Sequence, residues 1–174
     1  YGIDKKEVLR YLGYRGQELD EALLALIDKI SADCLAELSP RYVYSVFDVA
    51  FREAGVALLG TNILLEGADI RRHLSGARKC AVLASTLGAD SEKKLLLYER
   101  KSMTEALIFD SCCTAFVESV TDACEMEIVS YAKKEGYRTN FRFSPGYGDL
   151  PLELQPRILS VLGAEKKIGL TVTE

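Results

Sequence analysis

Apolar residues near the start of the chain recur at helical spacing, and past Pro40 that rhythm gives way to alternation. Asp4 and Glu7 have the spacing of a capping box, so a short helix is expected to about Leu12, ended by Gly13 and Gly16. Leu19, Ala22, Leu23, Leu26, Ile27 and Ile30 share one face of a second helix over Glu18 to Leu38, which Pro40 stops. Residues 1–40 therefore read as an N-terminal helical arm clasping the rest of the chain. From Tyr42 to Phe51 β-branched and aromatic residues alternate, and both faces are apolar, as in a central strand. Val56 to Leu65 reads as a second strand, or a strand with a turn at Thr61-Asn62. Ala68 to Leu74 is a short helix, Lys79 to Leu87 a buried strand ended by Gly88, and Asp90 or Ser91 caps a helix to about Arg100.

Ser102 and Glu105 repeat the capping-box spacing and open a long helix to about Lys134, closed by Gly136. Ile108, Cys112, Phe116, Val120, Cys124 and Ile128 form its core stripe, expected against a sheet, and Glu118, Asp122 and Glu125 lie beside it as a solvated face. Arg138 to Phe143 reads as a strand and Ser144 to Pro151 as a loop. A short helix to about Leu162 and a last strand, Lys167 to Thr173, complete the chain. Strands and helices are interspersed without a regular βαβ rhythm. The expected fold is α+β, a single domain with a mixed or antiparallel twisted sheet, a long core helix and the N-terminal arm.

Composition narrows the function classes. The chain has 174 residues, with 22 basic against 26 acidic side chains and a net charge of −4. A protein that tracks a phosphate backbone carries a basic surplus, so nucleic acid is not an expected partner. The longest uncharged run, Ala54 to Leu65, has 12 residues, too few for a transmembrane helix, and the first residues do not resemble a signal peptide. No membrane partner is expected. Five cysteines (Cys34, Cys80, Cys112, Cys113, Cys124), without a C-x-x-C and with one histidine, fit reduced thiols in the cytoplasm better than a zinc site or disulfide framework.

Familiar catalytic patterns are missing. No triad can be assembled, and neither G-x-G-x-x-G nor G-x-x-x-x-G-K-[ST] occurs. His73 lies in an H-x-x-G fragment of the kind that ligates cobalamin cobalt, but Arg71 stands where that pattern needs Asp. A helix-end histidine near the C-terminal dipole is the reading adopted. The most informative stretch runs from Arg142 to Pro151. An arginine can grip a carboxylate bidentately. A Ser-Pro-Gly turn offers backbone N–H and C=O groups without a bulky side chain, and tyrosine adds a flat face and a hydroxyl. Such a loop could hold an amino-acid carboxylate and an adenine edge.

Arg142-Phe143-Ser144-Pro145-Gly146-Tyr147 is an R-x-x-P-G-Y sequence. It resembles the S-adenosylmethionine (AdoMet) signature in the reactivation domain of cobalamin-dependent methionine synthase. A long capped helix before the motif, Leu154-Gln155-Pro156 after it and the Leu170-Thr171-Val172-Thr173-Glu174 ending agree. The opening Val8 to Gly16 is similar to the start of small free-standing bacterial versions. The resemblance implies an AdoMet-binding activation domain over 41–174. Arg142 would take the methionine carboxylate, Ser144, Pro145 and Gly146 would meet the adenosine through backbone groups, and Tyr147 would lie near the ligand or the corrinoid. It also implies two partners: cobalamin-binding methionine synthase modules, and an external electron donor such as a flavodoxin-like protein. Reduced cobalamin on the partner takes the methyl group, so no activated Ser, Cys or His is needed. Two features depart from the family. Gly148-Asp149-Leu150-Pro151 replaces Pro-Ala-Cys-Pro, and the family continues past the Thr-Glu with further ligand contacts. A non-catalytic module sensing AdoMet or the corrinoid protein is the alternative these departures favour. An ordinary small-molecule methyltransferase is a weaker third reading, because no glycine-rich AdoMet loop follows a strand.

Overall fold

The computed structural model describes residues 1–172. Two helices come first, α1 (Lys5–Tyr11) and α2 (Glu21–Glu37), followed by strands β1 (Arg41–Phe51), β2 (Gly55–Leu58) and β3 (Leu64–Glu66). Helix α3 (Ala68–His73), strand β4 (Lys79–Thr86), helix α4 (Asp90–Lys101) and the long helix α5 (Met103–Lys134) come next. A 3₁₀ turn (Leu152–Leu154) leads into α6 (Gln155–Leu162) and α7 (Ala164–Ile168). The strands form one sheet in the order β3-β2-β1-β4, with β1/β2 and β2/β3 antiparallel. The fold is therefore α+β, and β1 is interior to its sheet.

Local chemistry sets the helix ends. The Asp4 carboxylate accepts the Lys6 N–H, and the Asp20 carboxylate accepts the Ala22 N–H. Because Asp20 is the N-cap, α2 starts at Glu21 and not at Glu18. Ser102 Oγ accepts the Glu105 N–H at the head of α5, as the capping-box spacing requires. Helix α4 differs from expectation. Ala89 is its N-cap, Asp90 is already inside, and the Ser91 hydroxyl donates to the Gly88 carbonyl. Between β2 and β3 the chain turns at Gly60-Thr61, where Thr61 Oγ1 donates to the Leu58 carbonyl and accepts the Ile63 N–H. The apolar run from Val56 to Leu65 is thus two strands.

Contacts divide the chain into two compact units, Tyr1–Tyr42 with Ser85–Ala123, and Val43–Ala84 with Cys124 onward. In the first, Val8, Ile27, Ile30, Cys34 and Leu38 pack with Ile108, Phe109, Cys112, Phe116 and Val120. The upper part of the α5 stripe therefore meets α1 and α2, where a sheet was expected. A step of four residues turns an α-helix about 40° past a full turn. A strict four-residue stripe consequently winds around its helix. Its last two members, Cys124 and Ile128, are buried in the second unit.

In the second unit Val56, Leu58, Leu65 and Ile70 pack with Leu150, Leu154, Ile158, Leu162 and Ile168, joined by Val43, Phe47 and Val49 of β1. Two expected strands are absent here. Residues 138–143 pair with none of the four strands among the described residues. The rings of this segment pack on the His73 imidazole instead. Lys167 lies in α7, and the chain beyond Gly169 carries no strand to Val172. Left-handed glycines bracket α7, Gly163 at φ 64° and Gly169 at φ 71°, and Ala164 and Ile168 are its buried residues, four apart. Lys166, midway between them, is exposed, so the burial follows a helical turn and not the alternation of a strand. Thr173 and Glu174, the end of the expected strand and of the Thr-Glu match, lie outside the described residues.

Candidate functional site

The R-x-x-P-G-Y residues follow α5 and lie within the second unit. The Tyr147 N–H donates to the Ser144 carbonyl at 3.0 Å, closing a turn with Pro145 and Gly146 at its centre. Gly146 has φ +94°, and Pro followed by a positive-φ Gly is the signature of a type II turn. A second turn comes at once, with the Leu150 N–H on the Tyr147 carbonyl at 3.0 Å. The Gly146 N–H then reaches across to the Leu150 carbonyl at 2.8 Å. The Gly146 N–H and the Ser144 carbonyl, backbone groups expected to meet the adenosine, are therefore used to build the loop. Ser144, Gly146 and Tyr147 are exposed, while Leu150 is buried in the core and anchors the loop's far end.

Arg142 enters this loop in an ion pair. Its Nη1 lies 2.7 Å from Glu125 Oε2 on α5, and both side chains are about one-third exposed, at 32% and 33%. Glu125, expected on a solvated helix face, instead holds the arginine, while Glu118 and Asp122 of that face are exposed. A ligand carboxylate at Arg142 either shares the guanidinium with Glu125 or displaces it.

The loop is fixed on its other side by Asp149. Helix α3 opens at Gly67, which supplies no capping side chain of its own. The Asp149 carboxylate caps it from 80 residues away in sequence, accepting the Ala68 N–H at 2.6 Å and the Asp69 N–H at 3.0 Å. These amide bonds, first that of Asp69 and then that of Ala68, hold its carboxyl below the ordinary value of 3.8. The fit is close from both sides. A Cβ on Gly67 would stand 2.3 Å from Asp149 Oδ1, and one on Gly148 would stand 2.4 Å from Asp69 Oδ2.

The far end of α3 carries His73, its last residue, as a helix-end histidine should be. The imidazole packs on Phe141, with centroids 4.5 Å apart, and on Phe143, at 5.0 Å. Asn140 Nδ2 donates to the His73 carbonyl at 3.2 Å. Phe143 also meets the Tyr147 ring edge-on at 6.1 Å. An open hollow of about 340 Å³ lies here, lined by Asp69, Arg72, His73, Asn140, the two phenylalanines and Gly148. The five candidate residues do not line it. Arg142 turns toward α5 while its neighbours in sequence turn toward His73.

The structure thus brings Arg142, Ser144, Pro145, Gly146 and Tyr147 onto one doubly turned loop. Sequence reasoning missed the two residues that hold it, Glu125 and Asp149. The signal for Asp149 was available in α3, a helix beginning Gly-Ala-Asp with no Ser, Thr, Asp or Asn at its N-cap. Such a helix needs a cap from elsewhere. Among the described residues no group of His, Cys, Asp and Glu could hold a metal ion, and no helix is long and apolar enough to cross a membrane.

A methionine-type ligand needs a cation for its carboxylate and an accessible backbone edge for its purine. Of these the loop presents a half-buried guanidinium paired with Glu125, and an exposed turn whose Gly146 and Tyr147 N–H groups are already bonded within it. Compared with known proteins, the chain matches no family model, and no curated protein is similar to it in sequence. A solved structure is similar in fold: the crystal structure of the MetH reactivation domain bound to AdoHcy. It matches with a TM-score of 0.67 at 18% identity, over 99% of this chain and 69% of that one.

Proposed function

We propose that this chain is an AdoMet-binding activation module. It acts on a separate cobalamin-carrying methionine synthase module and supports reductive methylation of the oxidised cofactor. The observation that carries the reading is the R-x-x-P-G-Y loop, preformed as a type II turn with the Arg142 guanidinium at its entrance. The neighbour of the same fold is bound to AdoHcy, the demethylated form of AdoMet, which supports the ligand class. When bound, AdoMet supplies the methyl group and the partner's cobalamin the nucleophile. The chain's own part is to bind and orient. Arg142 holds the methionine carboxylate, the turn backbone of Ser144, Pro145 and Gly146 meets the adenosine, and exposed Tyr147 covers the ligand or the corrinoid face. A flavodoxin-like donor supplies the electron, and the setting is the cytoplasm, where the thiols stay reduced.

Calorimetric titration with AdoMet and AdoHcy tests this. Arg142→Lys should weaken binding and Arg142→Ala should weaken it further, by about 1.5–3 kcal/mol, the range for hydrogen bonds to charged groups. Adenosine, lacking the carboxylate, should bind wild type and both variants alike. Wild type that binds neither ligand, or binding indifferent to Arg142→Ala, would refute the assignment.

A further inference from the structure

The Gly148-Asp149 pair is a departure from the family pattern, and the structure assigns it a task. The loop from Arg142 to Leu150 has three attachments: the Arg142–Glu125 pair at its start, the buried Leu150 at its end, and the Asp149 carboxylate on α3. Leu150 alone would leave the turns free to pivot about one side chain. The carboxylate removes that freedom, because it accepts two N–H groups at once, at 2.6 and 3.0 Å. Both groups are otherwise unpaired donors of a helix's first turn. Gly67 and Gly148 permit the approach, since a side chain on either would collide with the acid opposite.

We propose that Asp149 is a positioning residue for the ligand loop: its carboxylate latches the 144–150 double turn to α3 and thereby fixes Ser144, Pro145, Gly146 and Tyr147 in their binding arrangement. Its effect on ligand affinity rests on the AdoMet reading, while the latch itself does not. Asp149 need touch no ligand. It raises the fraction of molecules whose loop is competent, and apparent affinity scales with that fraction.

The test uses the full chain, wild type, Asp149→Ala and Asp149→Asn, with folding checked by far-UV circular dichroism. Two quantities are read: amide hydrogen exchange at Ala68, Asp69, Gly146 and Leu150, and calorimetric titration with AdoHcy. In Asp149→Ala the four amides should exchange faster and AdoHcy should bind about tenfold more weakly, as expected if the competent fraction falls about tenfold. Asp149→Asn keeps one acceptor oxygen where the carboxylate offers two, and its NH2 group faces the second N–H. It should fall between wild type and Asp149→Ala in both quantities. Unchanged exchange in Asp149→Ala would overturn the latch. Faster exchange with unchanged AdoHcy affinity would overturn the positioning role. Suppose wild type binds neither AdoHcy nor AdoMet while Asp149→Ala still frees the four amides. The latch then stands, and it is the AdoMet reading that fails.

Discussion

Phe116→Ala tests the helical core directly. Phe116 is 1% exposed and sits among Val8, Ile27, Ile30, Cys34 and Val120. A phenylalanine side chain buries roughly 150–250 Å². At about 25 cal/mol per Å² that is roughly 4–6 kcal/mol, an upper bound because the unfolded chain already hides part of the surface. The methyl group that alanine keeps lowers the transfer loss, and the cavity left behind raises it again. About 3–5 kcal/mol is the expected cost, the range found for such truncations. Urea denaturation followed by far-UV circular dichroism reads it. With a slope of about 1–3 kcal/mol per molar, the midpoint should fall by roughly 2 M. Leu107→Ala on the same helix is the control, since Leu107 is 56% exposed and its truncation should stay within about 0.5 kcal/mol of wild type. A Phe116→Ala shift no larger than that of Leu107→Ala would refute the packing of α5 on α1 and α2.

The thiols and the latch give two further expectations. Burial pushes Cys80 up to about 11, and burial followed by the Glu127 charge pushes Cys124 to about 11. Near pH 8 about one such thiol in a thousand is ionised, against about a quarter for an ordinary cysteine, so native alkylation should be roughly 200-fold slower. Mass spectrometry after a pulse of iodoacetamide reads this, and labelling of Cys80 or Cys124 at the free-cysteine rate would contradict it. For Asp149 the native pKa lies below the ordinary 3.8. Its contribution to stability is therefore fully present well above that value and is lost as pH falls through the lowered native pKa. The melting-temperature gap between wild type and Asp149→Asn should be constant near neutrality and shrink in acid, and a gap that widened in acid would contradict a lowered native pKa.

Local signals carried most of the fold. Helix α5 was legible because the capping-box spacing at Ser102 marked its start and a buried stripe continued for six members. Strand β1 was legible because both its faces are apolar, as an interior strand requires. The partner of the α5 stripe was not legible, because periodicity states which face is buried and not what covers it. Residues 138–143 have strand-like composition, yet they pair with none of the four strands among the described residues, and composition does not state whether a strand edge lies alongside. At the end of the chain Ala164 and Ile168 are four apart, but the short run between two glycines gave too little period to separate helix from strand.

The same limit explains how the site was read. Ser-Pro-Gly-Tyr specifies a type II turn from its own residues, so the loop's shape could be expected from sequence alone. What restrains the loop is non-local, through Glu125 on α5 and the first turn of α3. Set beside the family pattern, Gly148-Asp149-Leu150-Pro151 looks like loss. In the structure each of the four has a contact or a structural position. Gly148 lies against Asp69, Asp149 caps α3, Leu150 is in the core, and Pro151 opens the 3₁₀ turn. A substituted turn that builds its own attachment cannot count as evidence that the loop has been abandoned. Whether the loop takes a carboxylate at all turns instead on Glu125, which must yield or share the Arg142 guanidinium when one arrives.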